Sequence, residues 1–532
     1  MNVENSLENG KANIGIFRSL PWWAILLAGL FVFLLSAGIR LFPLLTAPPK
    51  VSPDALEYLN IARHLDRGEG LVISIKAHMF DQEPVVRSTI GDRCFLYPAA
   101  VAAGLLLFPK SDDLLVARSV NLIFSSLAVT VSLFLFAGLF GWRVGGLAAI
   151  LVAVNPTMVK NGIEPLSDQL FLLLALSALL LYTAQDTEHT LARWSPAAAG
   201  VVCALAQLTR PVGVVLLAVL LVGYLLRKRR RAAGWMMLGF LIVMSPYFWA
   251  NWRQHGSPFY SVSAYNYTVG HYREGTWYGL DREQLSPWQF VSRNHQRVLK
   301  LVERKFVDNS KVVLNQLEPL LLFVLLLPRG AFRNSRGALI GYASLNFIAY
   351  SLSWAPVGAP RFLLPSYLLP IPFLLEAAAR PRWMRLRKAG SFLLATAFVL
   401  AAGNSLVQDA VSYSRSFAAG KPTRFTEAYQ QAALWLERET APNEIVASNN
   451  PWEVNYRSNR PAVICPVFSK EEQIGPFLKR HEVRTVILFA TSQDPRAEML
   501  TTPAGREEVR LVSDAATDDL PLLIYRTTHE SR

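Results

Sequence analysis

The chain has 532 residues, of which 52% are hydrophobic and 17% charged, and its mean hydropathy is +0.27. Soluble domains carry roughly 25% charged residues, and long apolar runs recur here from Trp22 to Leu406, so the composition excludes a soluble protein and predicts a polytopic membrane protein. The net charge of +14 does not indicate nucleic-acid binding, because most basic clusters lie in short loops between apolar runs, where they set membrane topology.

Residues 1–20 are polar and predict a disordered tail. The first apolar run, from Trp22 to Leu45, is too long for the core of a signal peptide and predicts an uncleaved membrane anchor. A hydrophilic stretch follows and gives a first outer loop over residues 43–93.

The stretch that follows the anchor predicts a juxtamembrane helix over residues 52–67. Ser52 is placed to cap the helix, Asp54 lies in the first turn, and Gly68 and Gly70 end it. An acid is therefore held on a rigid turn just outside the membrane. In the simplest interpretation, Asp54 only complements the helix dipole.

The later apolar runs predict ten further spans, about eleven in all, whereas the short run from Cys94 to Pro109 indicates an interfacial or re-entrant segment. These runs are 114–140, 144–154, 165–184, 196–208, 211–226, 233–249, 312–327, 337–354, 362–379 and 389–406.

The basic residues predict the orientation of these spans. With a cytoplasmic N-terminus, every strong basic cluster falls on the cytoplasmic side and the C-terminus lies outside. The clusters are Arg143, Arg193, the run 227–231, Arg329 with Arg333 and Arg336, and the run 380–388.

Residues 407–532 have the composition of a soluble domain, which leaves 21–406 as the membrane domain. Strand and helix patterns alternate there and predict a small α/β domain outside the membrane. The predicted elements are helices at 425–439 and 471–480 and strands at 444–448, 483–490 and 522–525. The fold class is therefore mainly α, with a helical membrane domain and a C-terminal α/β domain. The three cysteines, Cys94, Cys203 and Cys465, form no disulfide framework, although a bridge between the first and last remains open.

Acidic and basic side chains gather at the outer ends of the predicted spans, whereas the sequence has no Walker loop, GxGxxG, HExxH or CxxC motif. A single ionisable residue there is usually an interfacial anchor, but several converging on one face indicate a cavity or a partner. Carboxylates beside arginines suit transfer from a phosphate-bearing lipid, because a carboxylate takes a proton while guanidinium groups hold the phosphate. The candidates are Asp54, Glu57, Glu164, Asp168, Arg210 and Arg361.

These motifs resemble, in order and topology, the family 39 membrane glycosyltransferases of the C-type fold, which include protein O-mannosyltransferases and lipid A aminoarabinose transferases. The matching features are Asp54 with Tyr58, Ala62, Gly68 and Gly70; RCFLYP with Arg93, Tyr97 and Pro98; Asp168; LTRPVGVVLL with Arg210; RFLLP with Arg361; and the segment 449–463. Two features depart from the family pattern: Ala55 stands where many members have a second acid, and Cys94-Phe95 replaces a double proline.

The resemblance implies inverting transfer of a hexosyl or pentosyl group from a polyprenyl-phosphate donor to a lipid, glycan or protein hydroxyl outside a bacterial inner membrane. Asp54 would be the general base, with Glu57 or Asp168 as a second acid, and Asp168 would orient the acceptor or the sugar. Arg210, Arg361 and Arg93 would bind the donor phosphate, and Tyr58, Tyr97 and Glu164 would line the substrate site. The resemblance implies no definite cofactor, although paired outer acids could hold Mg²⁺ or Mn²⁺.

Two other functions remain open from the sequence. A transporter or lipid flippase would bind substrate near mid-membrane between broken helices, and the break at Thr209-Arg210-Pro211 is compatible with that. The candidate acids lie at the outer face instead. A non-catalytic assembly protein would tolerate the loss of Asp54.

Overall fold

The structure is a computed structural model and describes most of the chain. The described residues are 21–46, 51–79, 84–91, 93–185, 193–262, 287–318, 320–327, 331–332, 335–352, 360–379, 387–419, 424–490, 494–514 and 521–528. The predicted tail 1–20 and most of the basic run 380–388 lie outside these residues, as do Arg329 and Arg333.

Helices make up the membrane domain and its first outer loop. They are α1 (Trp22–Thr46), α2 (Pro53–Asp66), α3 (Leu96–Leu107), α4 (Asp113–Phe140), α5 (Trp142–Ala153), α6 (Pro156–Asn161), α7 (Asp168–Ala184), α8 (Ser195–Thr209), α9 (Gly213–Leu226), α10 (Arg230–His255), α11 (Pro287–Arg293), α12 (His295–Leu317), α13 (Ser335–Leu352), α14 (Leu364–Leu368), α15 (Ile371–Ala379) and α16 (Arg387–Ala419), with 3₁₀ helices at Leu320–Leu326 and Pro360–Leu363.

Each of the eleven predicted spans coincides with one or more of these helices. Five helical segments in the described part of the chain are long and apolar enough to cross a membrane alone, or six if α12 and the following 3₁₀ helix, bent by 93°, count as one span. Most helices at the other predicted spans are shorter; α8, for example, ends at Thr209 before Pro211. Apolar residues such as Leu26 and Phe31 stay exposed on the outside of the bundle, as expected for a surface that faces lipid.

Helix α2 confirms the predicted juxtamembrane helix almost to the residue. It ends at Asp66, and Gly68 and Gly70 then adopt positive φ angles of 74° and 89° that suit glycine. The predicted cap was wrong in one respect, because the Ser52 side chain makes no capping hydrogen bond. Pro53 at the first helical position and the first-turn Asp54 start the helix without it.

The C-terminal domain, which is predicted to lie outside the membrane and is called the outer domain below, is built around one mixed sheet. Its elements are β1 (Val72–Ile73), β2 (Ile75–Lys76) and β3 (Arg87–Ser88) from the first outer loop, followed by α17 (Arg424–Glu439), β4 (Ile445–Ser448), α18 (Pro451–Ser458), β5 (Ala462–Ile464), a 3₁₀ turn at Glu471–Gln473, α19 (Ile474–Arg480), β6 (Val483–Leu488), α20 (Pro495–Leu500), α21 (Pro503–Glu508), β7 (Val509–Asp514) and β8 (Leu523–Thr527).

The six-stranded sheet has the order β2-β5-β4-β6-β8-β7, parallel from β2 to β6 and antiparallel from β6 to β7. The predicted strands and helices are therefore present. The sequence did not predict that β2, from the first outer loop, is the edge strand, with Ile75 opposite Ala462. Because β2 pairs with β5, the outer domain is joined to the membrane domain through backbone hydrogen bonds.

Two further predictions concern the domain boundary and the cysteines. Helix α16 continues from the membrane to Ala419, so the boundary expected at residue 406 lies within a continuous helix. The disulfide left open between Cys94 and Cys465 is not formed, and all three cysteines are free thiols.

Candidate functional site

The site is built around the first turn of α2. Asp54 and Glu57 are one helical turn apart and share a face of the helix. The apolar residues of α2 pack against α3 and the start of α7; Leu59 and Ala62 are at most 1% exposed. This packing fixes the helix and directs both carboxylates toward arginines from other parts of the chain.

Asp54 lies between two arginines that are far from it in sequence. Its Oδ2 accepts a hydrogen bond from Arg361 Nη2 at 2.8 Å, and its Oδ1 accepts one from Arg93 Nη2 at 3.3 Å. The Asp54 side chain is 39% exposed, and those of Arg93 and Arg361 are 32% and 19% exposed. The carboxylate is therefore held by cations but open on one side to a substrate.

The two arginines control the ionisation of Asp54. Burial by itself would raise the pKa of this carboxyl, but the guanidinium groups of Arg93 and Arg361 outweigh it, and the pKa lies below its ordinary value. Asp54 is therefore ionised at neutral pH, as a proton acceptor must be.

Glu57 is more enclosed than Asp54. Only 6% of its side chain is exposed. Its Oε2 accepts a hydrogen bond from Arg93 Nε at 2.6 Å, and its Oε1 accepts one from Trp452 Nε1 at 2.8 Å. Both oxygens are occupied, so Glu57 is placed to hold Arg93 rather than to receive a proton from a substrate.

A second acid–arginine pair lies beside the first. Asp168 opens α7, is 3% exposed on its side chain and forms an ion pair with Arg210, which follows the last residue of α8. The guanidinium groups of Arg210 and Arg361 both lie 4.7 Å from the centre of the Phe362 ring. The aromatic ring thus brings the two arginines together and connects the two pairs.

Tyrosines support the helix that carries Asp54. The Tyr58 and Ser167 hydroxyls are 3.1 Å apart, and the Arg93 guanidinium lies 5.8 Å from the centre of the Tyr58 ring. Tyr97 is fully buried behind Tyr58, with ring centres 5.3 Å apart. Tyr58 therefore borders the site, whereas Tyr97 packs behind it.

The structure brings together all but two of the predicted site residues. Asp54, Glu57, Tyr58, Arg93, Asp168, Arg210 and Arg361 form one connected cluster. Tyr97 is one layer behind it, and Glu164 is 8% exposed and joins none of the cluster's ion pairs among the described residues. Its backbone carbonyl instead accepts a hydrogen bond from Asn121.

Four residues at the site were not predicted from the sequence. Phe362 directly follows Arg361 in RFLLP and was visible there, and Ser167 directly precedes Asp168. Trp452 belongs to the segment 449–463, which had no assigned role. Tyr350, which hydrogen-bonds Arg210, carries no sequence signal, since only the packing of α13 brings it to the site.

The described residues do not offer a set of ligands that matches the divalent cation considered from the sequence. Among the described residues, no group of three or more His, Cys, Asp or Glu side chains is arranged to hold a metal ion. The acids of the cluster are turned toward arginines instead. We therefore derive no step through a metal.

The arrangement suits a phosphate-bearing ligand with a hydroxyl partner. Two guanidinium groups contact the partly exposed Asp54 carboxylate, and that of Arg210 lies beside them across the Phe362 ring. Arginine binds phosphate through paired hydrogen bonds. A phosphate drawn to these arginines would lie next to a base able to accept a proton.

Part of the chain is similar in sequence to a known protein family. A sequence model of the family described as dolichyl-phosphate-mannose-protein mannosyltransferase matches residues 92–250. This segment contains Arg93, Asp168 and Arg210 but neither Asp54 nor Arg361. No curated protein matches the chain significantly by sequence.

Solved structures match nearly the whole chain. ArnT from Cupriavidus metallidurans, solved in the apo state and bound to undecaprenyl phosphate, is 14% identical with a TM-score of 0.57, over 94% of this chain and 97% of that one. The archaeal oligosaccharyltransferase AglB from Archaeoglobus fulgidus, in complex with an inhibitory peptide and a dolichol-phosphate, is 14% identical with a TM-score of 0.58, over 96% of this chain and 74% of that one.

The oligosaccharyltransferase of the same archaeon, tethered to an acceptor peptide, gives a TM-score of 0.60 at 13% identity, with the same coverage. At this level of identity the matches establish the fold. Together with the matched segment they confirm the resemblance predicted from the motifs: the chain is an integral membrane protein of the C-type glycosyltransferase fold, similar to family 39.

Proposed function

We propose that this protein transfers a sugar from a polyprenyl-phosphate donor to an acceptor hydroxyl on the extracytoplasmic side of the membrane, with inversion at the anomeric carbon. The observation that carries the proposal is the partly exposed Asp54 carboxylate shared by Arg93 and Arg361. The lipid phosphates bound by the two structural neighbours support it.

The reaction needs one base and one cationic site. Asp54 takes the proton of the acceptor hydroxyl while the acceptor oxygen bonds to the anomeric carbon. The bond from that carbon to the phosphate oxygen breaks, and its electron pair leaves with the lipid phosphate. The phosphate gains a negative charge, which Arg361, Arg210 and Arg93 stabilise.

The ion pairs of Asp54 with Arg93 and Arg361 give donor binding a second effect. Arg361 and Arg93 neutralise Asp54 and lower its pKa, which makes the carboxylate a weak base. A donor phosphate that takes over hydrogen bonds from these arginines removes that effect, and the pKa of Asp54 rises. The base is then strongest when the donor is in place, which discourages proton transfer without a donor.

The exposure of Asp54 and Asp168 assigns them different parts in this scheme. Asp54 is open enough to meet an acceptor, whereas Asp168 is enclosed with Arg210. We infer that Asp168 holds Arg210 at the phosphate and that Tyr58 borders the acceptor. The scheme applies equally to a hexose or a pentose as the sugar and to a lipid, glycan or protein as the acceptor.

The proposal includes an orientation in a bacterial inner membrane, with the N-terminus cytoplasmic and the C-terminus outside. A phosphatase fused after Arg532 is expected to be active, and one fused within the basic run 227–231 inactive. The reverse pattern would place Asp54 on the cytoplasmic side and contradict an extracytoplasmic reaction.

Labelled lipid-linked sugar tests the reaction directly. Membranes with the protein should move label from lipid to acceptor, and a deletion strain should accumulate the unused donor. Uptake of the labelled lipid or sugar into sealed vesicles without any transfer would instead favour a transporter or flippase.

A further inference from the structure

We propose that Trp452 of the outer domain is a positioning residue for the transfer site, acting through Glu57 on Arg93. The inference rests on the proposed function, because it assigns Trp452 a part in that reaction. Trp452 and Glu57 are 395 residues apart in sequence, so the outer domain would complete a site whose other members come from the membrane domain and its first loop.

A continuous series of hydrogen bonds joins Trp452 to the general base. The indole N–H donates to Glu57 Oε1 at 2.8 Å, Arg93 Nε donates to Glu57 Oε2 at 2.6 Å, and Arg93 Nη2 donates to Asp54 Oδ1 at 3.3 Å. Each Glu57 oxygen faces a different partner. The two bonds together fix the rotation of the carboxylate and with it the plane of the Arg93 guanidinium.

The loss of the indole hydrogen bond has a large effect because the Glu57 carboxylate is buried. The Glu57 side chain is only 6% exposed, and a buried carboxylate oxygen that loses its donor is costly to keep in place. Without the indole N–H, Glu57 would turn toward another donor or water. Arg93 would then lose the acceptor that fixes its position.

The tryptophan itself is held firmly. Helix α18 begins one residue before it, with Asn450 capping the backbone of Glu453. The Trp452 ring packs beside Ile61, Ile73 and Ile75. The indole therefore rests on a helix and an apolar cluster and not on a loose loop.

The same helix is anchored to α2 at further points. Asn60 Nδ2 donates to Asn455 Oδ1 at 2.9 Å, and Arg63 Nη1 donates to the Tyr456 carbonyl at 3.0 Å. These contacts keep α18 on the helix that carries Asp54 when the indole N–H is removed. A substitution that removes only this N–H is therefore expected to leave the docking intact.

A packing role is the main alternative. A tryptophan that only fills space needs no hydrogen bond, and phenylalanine would serve nearly as well. The indole N–H, however, points at a buried acid that belongs to the site. Replacing Trp452 with phenylalanine keeps an aromatic ring and removes the N–H, so it separates the two roles.

The test measures sugar transfer by Trp452→Phe in the full-length protein. We expect kcat/KM for the lipid donor to fall about tenfold, the effect of a lost hydrogen bond to a charged group. The acid limb of the pH profile should move upward, because Asp54 loses part of the cationic influence of Arg93. The matched control is Trp435→Phe in the same domain, where the ring lies beside Arg526 and away from the site; it should retain wild-type transfer.

A double substitution decides whether Trp452 acts through Glu57. If it does, Trp452→Phe combined with Glu57→Gln should lose no more activity than Glu57→Gln alone. Independent, multiplying losses would overturn the positioning role, as would a Trp452→Phe protein as active as the Trp435→Phe control. A wild-type protein that neither transfers sugar nor binds a polyprenyl phosphate such as undecaprenyl phosphate would overturn the proposed function itself, and the inference about Trp452 with it.

Discussion

The two acid–arginine pairs of the site look alike in sequence but differ in their surroundings. Asp54 and Asp168 each lie in the first turn of a helix, and each faces an arginine from a distant segment. The side chain of Asp54 is 39% exposed and is shared by two arginines, whereas that of Asp168 is 3% exposed and forms an ion pair with Arg210.

This difference separates the acid that reacts from the acid that keeps an arginine in position. A partly exposed carboxylate can exchange a proton with a substrate, and shared arginines can be drawn away from it by a phosphate. Separating a buried ion pair costs much free energy, because each charge left alone in a low-dielectric surrounding is strongly unfavourable. We infer that Asp54 reacts and that Asp168 maintains the position of Arg210.

The largest expected effect is that of Asp54→Asn on transfer. Asparagine has nearly the same size and still accepts hydrogen bonds but cannot take the acceptor proton, so the rate should fall by about 10²–10⁴. Transfer of labelled sugar, with variants matched for expression, measures this loss. If Asp54 only complemented the helix dipole, the change would cost at most about 1 kcal/mol of helix stability and leave activity near normal.

The control on the same helix face is Glu57→Gln, which should reduce transfer less than Asp54→Asn does. Transfer by Asp54→Asn above about a third of the wild-type rate would remove Asp54 from the role of base. Asp168 would then be the next carboxylate to test.

The next effect concerns stability. Asp168→Ala leaves the enclosed Arg210 cation without its carboxylate partner, which typically costs about 3–5 kcal/mol. We expect a clearly lower unfolding temperature in detergent than for Asp54→Ala, whose partly exposed arginines can be hydrated. Equal unfolding temperatures for the two variants would contradict the division between a reactive acid and a supporting one.

A smaller loss is expected from Arg361→Ala. Removing one charged hydrogen bond to the donor phosphate, worth about 1.5–3 kcal/mol, should lower kcat/KM for the donor about tenfold to a hundredfold. Arg361→Lys should restore part of the loss, because lysine supplies a point charge but no planar fork. Full activity in both variants would show that Arg361 is an interfacial anchor.

The smallest effect is a displacement of the pH profile. Asp54 has a lowered pKa in the folded protein, so its ion pairs stabilise the fold above the ordinary aspartate pKa and are lost as the pH falls through the lowered one. The acid limb of the kcat/KM profile should accordingly lie below the pH range in which an ordinary aspartate titrates. In Arg361→Lys the charge remains and the limb should stay nearly in place. In Arg361→Ala it should move upward, and an unmoved limb would show that Arg361 does not act on Asp54.

The sequence predicted those parts of the site that local patterns determine. The cap-and-glycine pattern around residues 52–70 located α2 and Asp54, and charges at the ends of apolar runs located Asp168, Arg210 and Arg361. Hydropathy could not show that Asp54 is partly exposed and Asp168 buried, because burial depends on neighbouring helices. The RCFLYP motif placed Tyr97 at the site, and the acids at the end of a predicted span placed Glu164 there. Tyr97 packs behind Tyr58 instead, and Glu164 joins no ion pair of the cluster in the described part of the chain.

The contacts between the outer domain and the first loop were beyond such patterns. Ile75 and Lys76 are too short a stretch to read as a strand, and their partner is β5, far along the chain. Likewise, no sequence pattern indicates that the segments of Trp452 and Glu57 contact each other, although a hydrogen bond joins the two side chains. Only the assembled sheet brings them together.

The pairing of β2 with β5 has a consequence for biosynthesis. At roughly 5–20 residues per second, translation of the 395 residues between Glu57 and Trp452 takes roughly 20 to 80 seconds. During that interval the first loop has neither its strand partner nor the indole that holds Glu57. In the proposed orientation the last span must insert and the outer domain must cross the membrane before the sheet can close, so a chain truncated after α16 would keep Asp54 and all three arginines and yet never acquire a finished site.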